Sequence, residues 1–169
     1  MQINVSQLLQ EPVGAMRDYQ VNETVDIIGD GKQYAIQGEC NLLRLHGSIL
    51  VKCVLGTEVE LACSRCLSRF RHPLKIKFEE EYIPTIDVLT GAPLPQPEEA
   101  STFTIDEHHT LDLAEAVHQY AMLAVPMKPL CGKECSGLCP NCGKNLNEDK
   151  CDCPQQEIDP RWSELTKLL

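Results

Sequence analysis

Aromatic side chains are scarce in this sequence: they make up 5% of its 169 residues, with a single Trp. Any core must therefore be mainly aliphatic. No apolar run approaches the roughly 18 residues that a membrane-spanning helix needs, so no membrane association is expected. The opening stretch MQINVSQLLQEPVG carries neither a basic n-region nor an apolar h-region, and so does not read as a secretory signal. There is no G-x-S-x-G, no P-loop and no H-E-x-x-H. No nucleophile–base arrangement stands out either, so the reading is of a non-enzyme with no catalytic residues and no small-molecule substrate. Residues 79–127 contain no Lys or Arg while holding ten acids, and the whole chain has a net charge of −10. That sign excludes a blanket electrostatic grip on nucleic acid, though not a local basic face.

Hydrophobic residues amount to 43%, enough for a real core and against full disorder. Cysteine is abundant, at ten residues. Without an export signal the expected compartment is the cytoplasm, where clustered cysteines read as metal ligands or redox centres rather than as a disulfide framework. Cys40 and Cys53 lie apart in apolar surroundings and read as small buried hydrophobes. Cys63 and Cys66 form a C-x-x-C. Cys131, Cys135, Cys139, Cys142, Cys151 and Cys153 form the run C-x3-C-x3-C-x2-C-x8-C-x-C.

Two thiolates spaced by two residues chelate one ion because the intervening turn aims backbone N–H groups at the sulfurs, and Gly143 after Cys142 relieves that turn. Four thiolates in a tetrahedral shell suit zinc, with iron–sulfur as the rival. Eight cysteines allow two sets of four. One arrangement pairs Cys63 and Cys66 with Cys131 and Cys135, and groups Cys139, Cys142, Cys151 and Cys153. The alternative is a single site drawing on four of the six C-terminal cysteines. The cofactor expected is zinc, as two ions or as one. With sulfur able to fill every position, the sites read as structural; a catalytic zinc keeps an open position. A redox C-x-x-C, with Arg65 lowering a thiolate pKa, is a further alternative, but the α/β pattern that accompanies it is missing.

Period-two alternation from residue 34 to 82 predicts strands of an antiparallel sheet. From Leu43 to Leu55 the odd positions are apolar, and Gly47-Ser48 and Gly56-Thr57 read as a turn or bulge and a hairpin turn. SQLLQ (6–10) reads as one helical turn before Pro12. Residues 84–100, with four prolines, read as a loop, and Phe103 and Ile105 as a short strand. A helix is predicted from about 111 to 124 with Thr110 as N-cap and an apolar stripe of Leu113, Val117, Tyr120, Ala121 and Ala124. Asp159-Pro160 opens a predicted C-terminal helix with Trp162, Leu165 and Leu169 on one face. The expected fold is α+β: an antiparallel β-sheet or open barrel with one or two packed helices and a zinc-stapled C-terminal module. The domains are 1–127 and 128–169.

Residues 63–78 hold five bases and no acid. Arg65, Arg69, Arg71, Lys75 and Lys77 form a candidate RNA-phosphate patch; the plainer reading is a solvated face paired with nearby acids. The acidic 79–127 stretch reads as solvated surface or as a docking face for a basic protein.

Three strings carry a resemblance: Cys63-Ser64-Arg65-Cys66-Leu67; Leu123-Ala124-Val125-Pro126-Met127-Lys128-Pro129-Leu130-Cys131; and Gly137-Leu138-Cys139-Pro140-Asn141-Cys142-Gly143-Lys144-Asn145-Leu146-Asn147. With Asp159-Pro160-Arg161-Trp162 they resemble the YceD family along essentially the whole chain. The long cysteine module looks like the version found in Gram-positive bacteria and their relatives. The resemblance implies a bacterial, cytoplasmic ribosome-biogenesis factor needed for accumulation of 23S rRNA in large-subunit assembly. Its expected partners are 23S rRNA precursor, a basic large-subunit ribosomal protein, or both. It brings no catalytic residues, and it carries the cysteines over only as metal ligands. Two other functions stand beside it: an interaction adaptor without RNA contact, and a thiol redox or zinc-buffer protein.

Overall fold

A computed structural model describes residues 1–95 and 102–153. Its elements are β1 (Gln2–Asn4), α1 (Ser6–Gln10), β2 (Met16–Val25), β3 (Tyr34–Arg44), β4 (Ile49–Ala62), β5 (Arg69–Pro84), β6 (Phe103–Ile105), β7 (Thr110–Asp112) and α2 (Ala114–Ala124). The chain divides into two units, Met1–Leu61 with Phe70–Met127, and Ala62–Arg69 with Lys128–Leu169. Residues 62–69 group with the C-terminal segment, and their backbone bonds to it: Ser64 N–H donates to the Pro129 carbonyl at 2.8 Å.

The first unit is a seven-stranded sheet in the order β1-β7-β6-β5-β4-β3-β2. Neighbours β2–β3, β3–β4, β6–β7 and β1–β7 run antiparallel, and β6 runs parallel to β5. The two ends of this order approach each other: the Met1 amine lies 3.8 Å from the Glu23 carboxylate of β2. The sheet is thus curled into an open barrel, which buries its apolar inner face. Ile36, Leu42, Val51, Leu55, Ile76 and Tyr82 are among its fully buried side chains.

The inner face is reached by even positions on β3 and odd positions on β4, because Arg44 pairs with Ile49 across the 45–48 turn. Leu42 is therefore buried, while Leu43 and Leu45, expected on the buried face, are half-exposed. Gly56-Thr57 is not a hairpin turn. It continues β4, with Gly56 paired to Gln37, because β3 offers an unbroken partner edge. Cys40 and Cys53 are directly opposed in this register, with Cα atoms 4.1 Å apart, and form a disulfide. They are buried as expected, but as one cross-strand bond rather than as two separate hydrophobes.

α1 forms over SQLLQ and buries Leu8 and Leu9. α2 starts later than predicted. Thr110–Asp112 is a strand, with Leu111 opposite Ile3 of β1, so Thr110 is not the cap; the Asp112 carboxylate instead accepts the Ala114 N–H at 2.9 Å. The predicted stripe still faces inward, with Val117 and Ala121 fully buried and Tyr120 stacked on Phe78 at 5.2 Å. The predicted helix over 159–169 lies outside the described residues.

Gly38 of β3 is a close-approach site: a Cβ there would sit 2.2 Å from the Val54 carbonyl oxygen. Nothing lies within 4 Å of such an atom at Gly47. Gly38→Ala should lower unfolding free energy by about 3 kcal/mol, read from the urea midpoint, with Gly47→Ala as the neutral control. An unchanged midpoint for Gly38→Ala would contradict the register.

Candidate metal centre

The second unit has almost no apolar interior. Among its described residues the buried side chains are Cys63, Cys66, Cys135 and Cys139. Cys63 and Cys66 sit on the tight connection between β4 and β5. Its backbone is closed by the Cys63 N–H to the Ser68 carbonyl and the Leu67 N–H to the Cys63 carbonyl, both 2.9 Å. The stretch from Cys139 to Lys144 repeats this pattern. The Cys139 N–H donates to the Lys144 carbonyl at 2.8 Å, and the Gly143 N–H to the Cys139 carbonyl at 2.9 Å. In both, the residue after the second cysteine is left-handed: Leu67 at φ 61° and Gly143 at φ 74°. The two C-x-x-C turns are one local structure used twice.

Each turn gathers two further sulfurs. Cys63, Cys66, Cys131 and Cys135 form one cluster, and Cys139, Cys142, Cys151 and Cys153 the other, with the sulfurs of each cluster all within 4.8 Å of one another. In the first, Cys63 Sγ lies 3.8 Å from Cys135 Sγ, and Cys66 Sγ 3.6 Å from Cys131 Sγ. A tetrahedral ion with metal–sulfur bonds of about 2.3 Å sets its sulfurs about 3.8 Å apart. These distances therefore match the edges of a four-thiolate shell and are far too long for a disulfide. Both clusters can hold a metal ion.

The thiols differ within each cluster. Backbone N–H groups of Cys66 and Cys131 pull Cys63 down to about 6, and those of Cys142 and Asn141 bring Cys139 down to about 6. Hydrogen bonds from neighbouring sulfurs, led by Cys66, push Cys131 up to about 12, and Cys142 leads in raising Cys153 to about 12. Each cluster thus sets a sulfur whose anion is favoured beside one whose proton is held more tightly. Metal uptake at such a site releases protons and weakens on acidification.

Arg65, named with the basic residues, points into this unit: its guanidinium donates to the Cys135 carbonyl at 2.9 Å. Arg69, Arg71, Lys75 and Lys77 are exposed at same-parity positions along β5. Lys52 and Glu79 pair at 2.9 Å on the sheet surface. Sequence reading overlooked Ser68, Asn145 and Asn147. Asn147 donates to Cys135 Sγ at 3.4 Å, and Asn145 donates to Ser68 Oγ at 3.2 Å. The only sequence signal for them is polar residues crowded behind a C-x-x-C-G turn.

The family model described as large ribosomal RNA subunit accumulation protein YceD matches residues 51–169 of this chain. The protein Rv2926c of Mycobacterium tuberculosis is 26% identical over 100% of this chain and 81% of its own length. YlbN of Bacillus subtilis is 26% identical over 100% of this chain and 96% of its own. The chloroplastic large ribosomal RNA subunit accumulation protein YCED homolog 1 of Arabidopsis thaliana is 33% identical over 34% of this chain and 18% of its own. No solved structure matches the chain.

Elemental analysis of the purified protein should find two metal ions per chain. Cys66→Ser should lose one and Cys142→Ser the other, while Cys40→Ser keeps both. A single ion in the unaltered chain would defeat the two-cluster arrangement.

Proposed function

The chain belongs to the YceD family, and on that footing we propose that it is a ribosome-biogenesis factor supporting 23S rRNA accumulation and large-subunit assembly. The observation that carries this reading is the family match itself, which spans the basic strand β5 and both cysteine clusters. In this reading the protein is bacterial and cytoplasmic and acts without catalysis. No described helix is long and apolar enough to cross a membrane.

Zinc is the ion proposed for both clusters. All-sulfur shells of this size suit a single tetrahedral ion, and closed shells of four cysteines are structural rather than catalytic. Eight cysteines committed to metal leave no free pair for a thiol redox cycle at Cys63 and Cys66.

The proposed RNA contact is the outer face of β5. Arg71, Lys75 and Lys77 are exposed there, and no ion pair engages them among the described residues. Arg65 takes a structural part in this scheme, since its guanidinium already holds the Cys135 carbonyl. The acidic docking face is the weaker half of the reading. Glu80 accepts the Tyr120 hydroxyl, Asp106 takes the N–H groups of His108 and Thr110, Asp87 takes those of Leu89 and Thr90, and Asp112 takes that of Ala114 at the start of α2. Those carboxylates hold the fold's own turns. A precursor-RNA contact is therefore preferred over a basic ribosomal protein as the primary partner.

Depletion in the native host should lower 23S relative to 16S RNA and shrink the 50S peak. Unchanged ratios under full depletion would overturn the proposal. With purified protein, binding to 23S fragments through three phosphate contacts should give a log K against log salt slope of about −2. Arg71→Glu, Lys75→Glu and Lys77→Glu together should abolish that binding with the metal content intact. Binding that survives the triple reversal would remove β5 from the interface.

A further inference from the structure

The two cysteine clusters share no ligand, but side chains from the segment between two ligands of one reach the other. The second cluster takes Cys142 and Cys151 from the two ends of the 143–150 segment. An ion held there pins that segment at both ends. From inside it, two asparagines reach the first cluster. Asn147 Nδ2 donates to Cys135 Sγ at 3.4 Å, while its Oδ1 accepts the Ser136 N–H at 2.8 Å. The amide thus grips the backbone beside a sulfur as well as the sulfur itself. Asn145 Nδ2 donates to Ser68 Oγ at 3.2 Å, and Ser68 hydrogen-bonds the Cys66 sulfur. One asparagine therefore serves the Cys131/Cys135 half of the first cluster, and the other serves the Cys63/Cys66 half.

The pair is itself ordered. Asn145 Oδ1 accepts both the Asn147 N–H at 3.1 Å and Asn147 Nδ2 at 2.8 Å, and the Leu146 N–H donates to the Gly137 carbonyl at 2.9 Å. The segment is held against the first cluster by backbone and side chain together. The first cluster also needs such support more than the second. Its ligands come from two separate stretches of chain, Cys63 and Cys135 lying 72 positions apart, whereas the second site is local.

We infer that Asn147, with Asn145 beside it, couples the two metal sites, so that an ion in the 139–153 cluster raises the affinity of the 63–135 cluster. By linkage the effect is reciprocal: filling either site strengthens the other. The C-terminal module then loads its metals cooperatively. Hydrogen bonds to ligating groups are typically worth about 10- to 100-fold in metal affinity, which sets the expected size. This rests on the reading that both clusters bind metal.

The test is a cobalt(II) titration of the full-length chain, followed by thiolate-to-cobalt charge transfer, with zinc back-titration. The unaltered protein should take up two ions with positive cooperativity. Asn147→Ala keeps all eight cluster cysteines. It should lower first-site affinity by roughly tenfold or more and abolish the cooperativity. In a Cys63→Ser/Cys66→Ser background, which isolates the second site, Asn147→Ala should leave affinity unchanged. A merely structural role for Asn147 would weaken the second site as well. Cys142→Ser/Cys151→Ser should reduce first-site affinity to the level seen in Asn147→Ala. Two ions bound independently, with Asn147→Ala altering neither site or weakening both alike, would overturn the coupling. Failure of the unaltered chain to bind two ions would instead overturn the metal reading beneath it.

Discussion

Four sulfurs drawn to within 4.8 Å of one another are the constraint on which the second unit depends. Its described residues bury no Leu, Ile, Val or Phe, so hydrophobic burial contributes little to holding 62–69 against 128–153. Thiolates at that spacing repel one another, and a cation held among them would convert the repulsion into the unit's main cohesive interaction. With such an ion, folding of this unit and metal binding would be one equilibrium. The sheet unit is the opposite case. It is closed by aliphatic burial and strand register, and its own cysteine pair is a cross-strand disulfide between Cys40 and Cys53 rather than a ligand set.

The two C-x-x-C turns show how one backbone solution accommodates different residues. Each aims backbone N–H groups at a sulfur and ends in a left-handed residue, a position that suits Gly143 at no steric cost. Leu67 occupies the equivalent position and leaves its side chain 66% exposed. The hydrogen bonds of the turn and its two thiol anchors hold Leu67 in a conformation it would not choose alone. The polar residues behind the turns then tie one cage to the next.

Charge plays two separate roles in the first unit. The acids of the 79–127 stretch are largely spent on N–H groups, hydroxyls and one lysine within the fold, which explains how so acidic a segment folds without bases of its own. The bases of β5 project outward at alternate positions and make no described ion pairs at Arg71, Lys75 or Lys77. Local charge along β5 thus differs in sign from the chain's net charge of −10.

The predicted 84–100 loop begins at Pro84, which is the last residue of β5, and its residues 96–100 lie outside the described ones. By itself the sequence determined the strand character of 34–82, the apolar stripe of α2 and a cysteine spacing suited to holding metal ions. Each is a matter of local periodicity or ligand spacing. The exposed alternation of Arg71, Lys75 and Lys77 follows from period two as well. Tertiary structure alone decided the rest. β2 carries few inward apolar residues and is recognisable only by its pairing to β3. β1 and β7 are three residues each and exist because they pair with one another, which took Leu111 from the predicted helix. The 45–48 turn reset the inward phase between β3 and β4, and the resulting register brought Cys40 opposite Cys53. Spacing allowed several divisions of the cysteines. Only three-dimensional closure put Cys63 and Cys66 beside Cys131 and Cys135, and Asn147 against Cys135, because contacts between residues distant in the chain leave no mark on its local pattern.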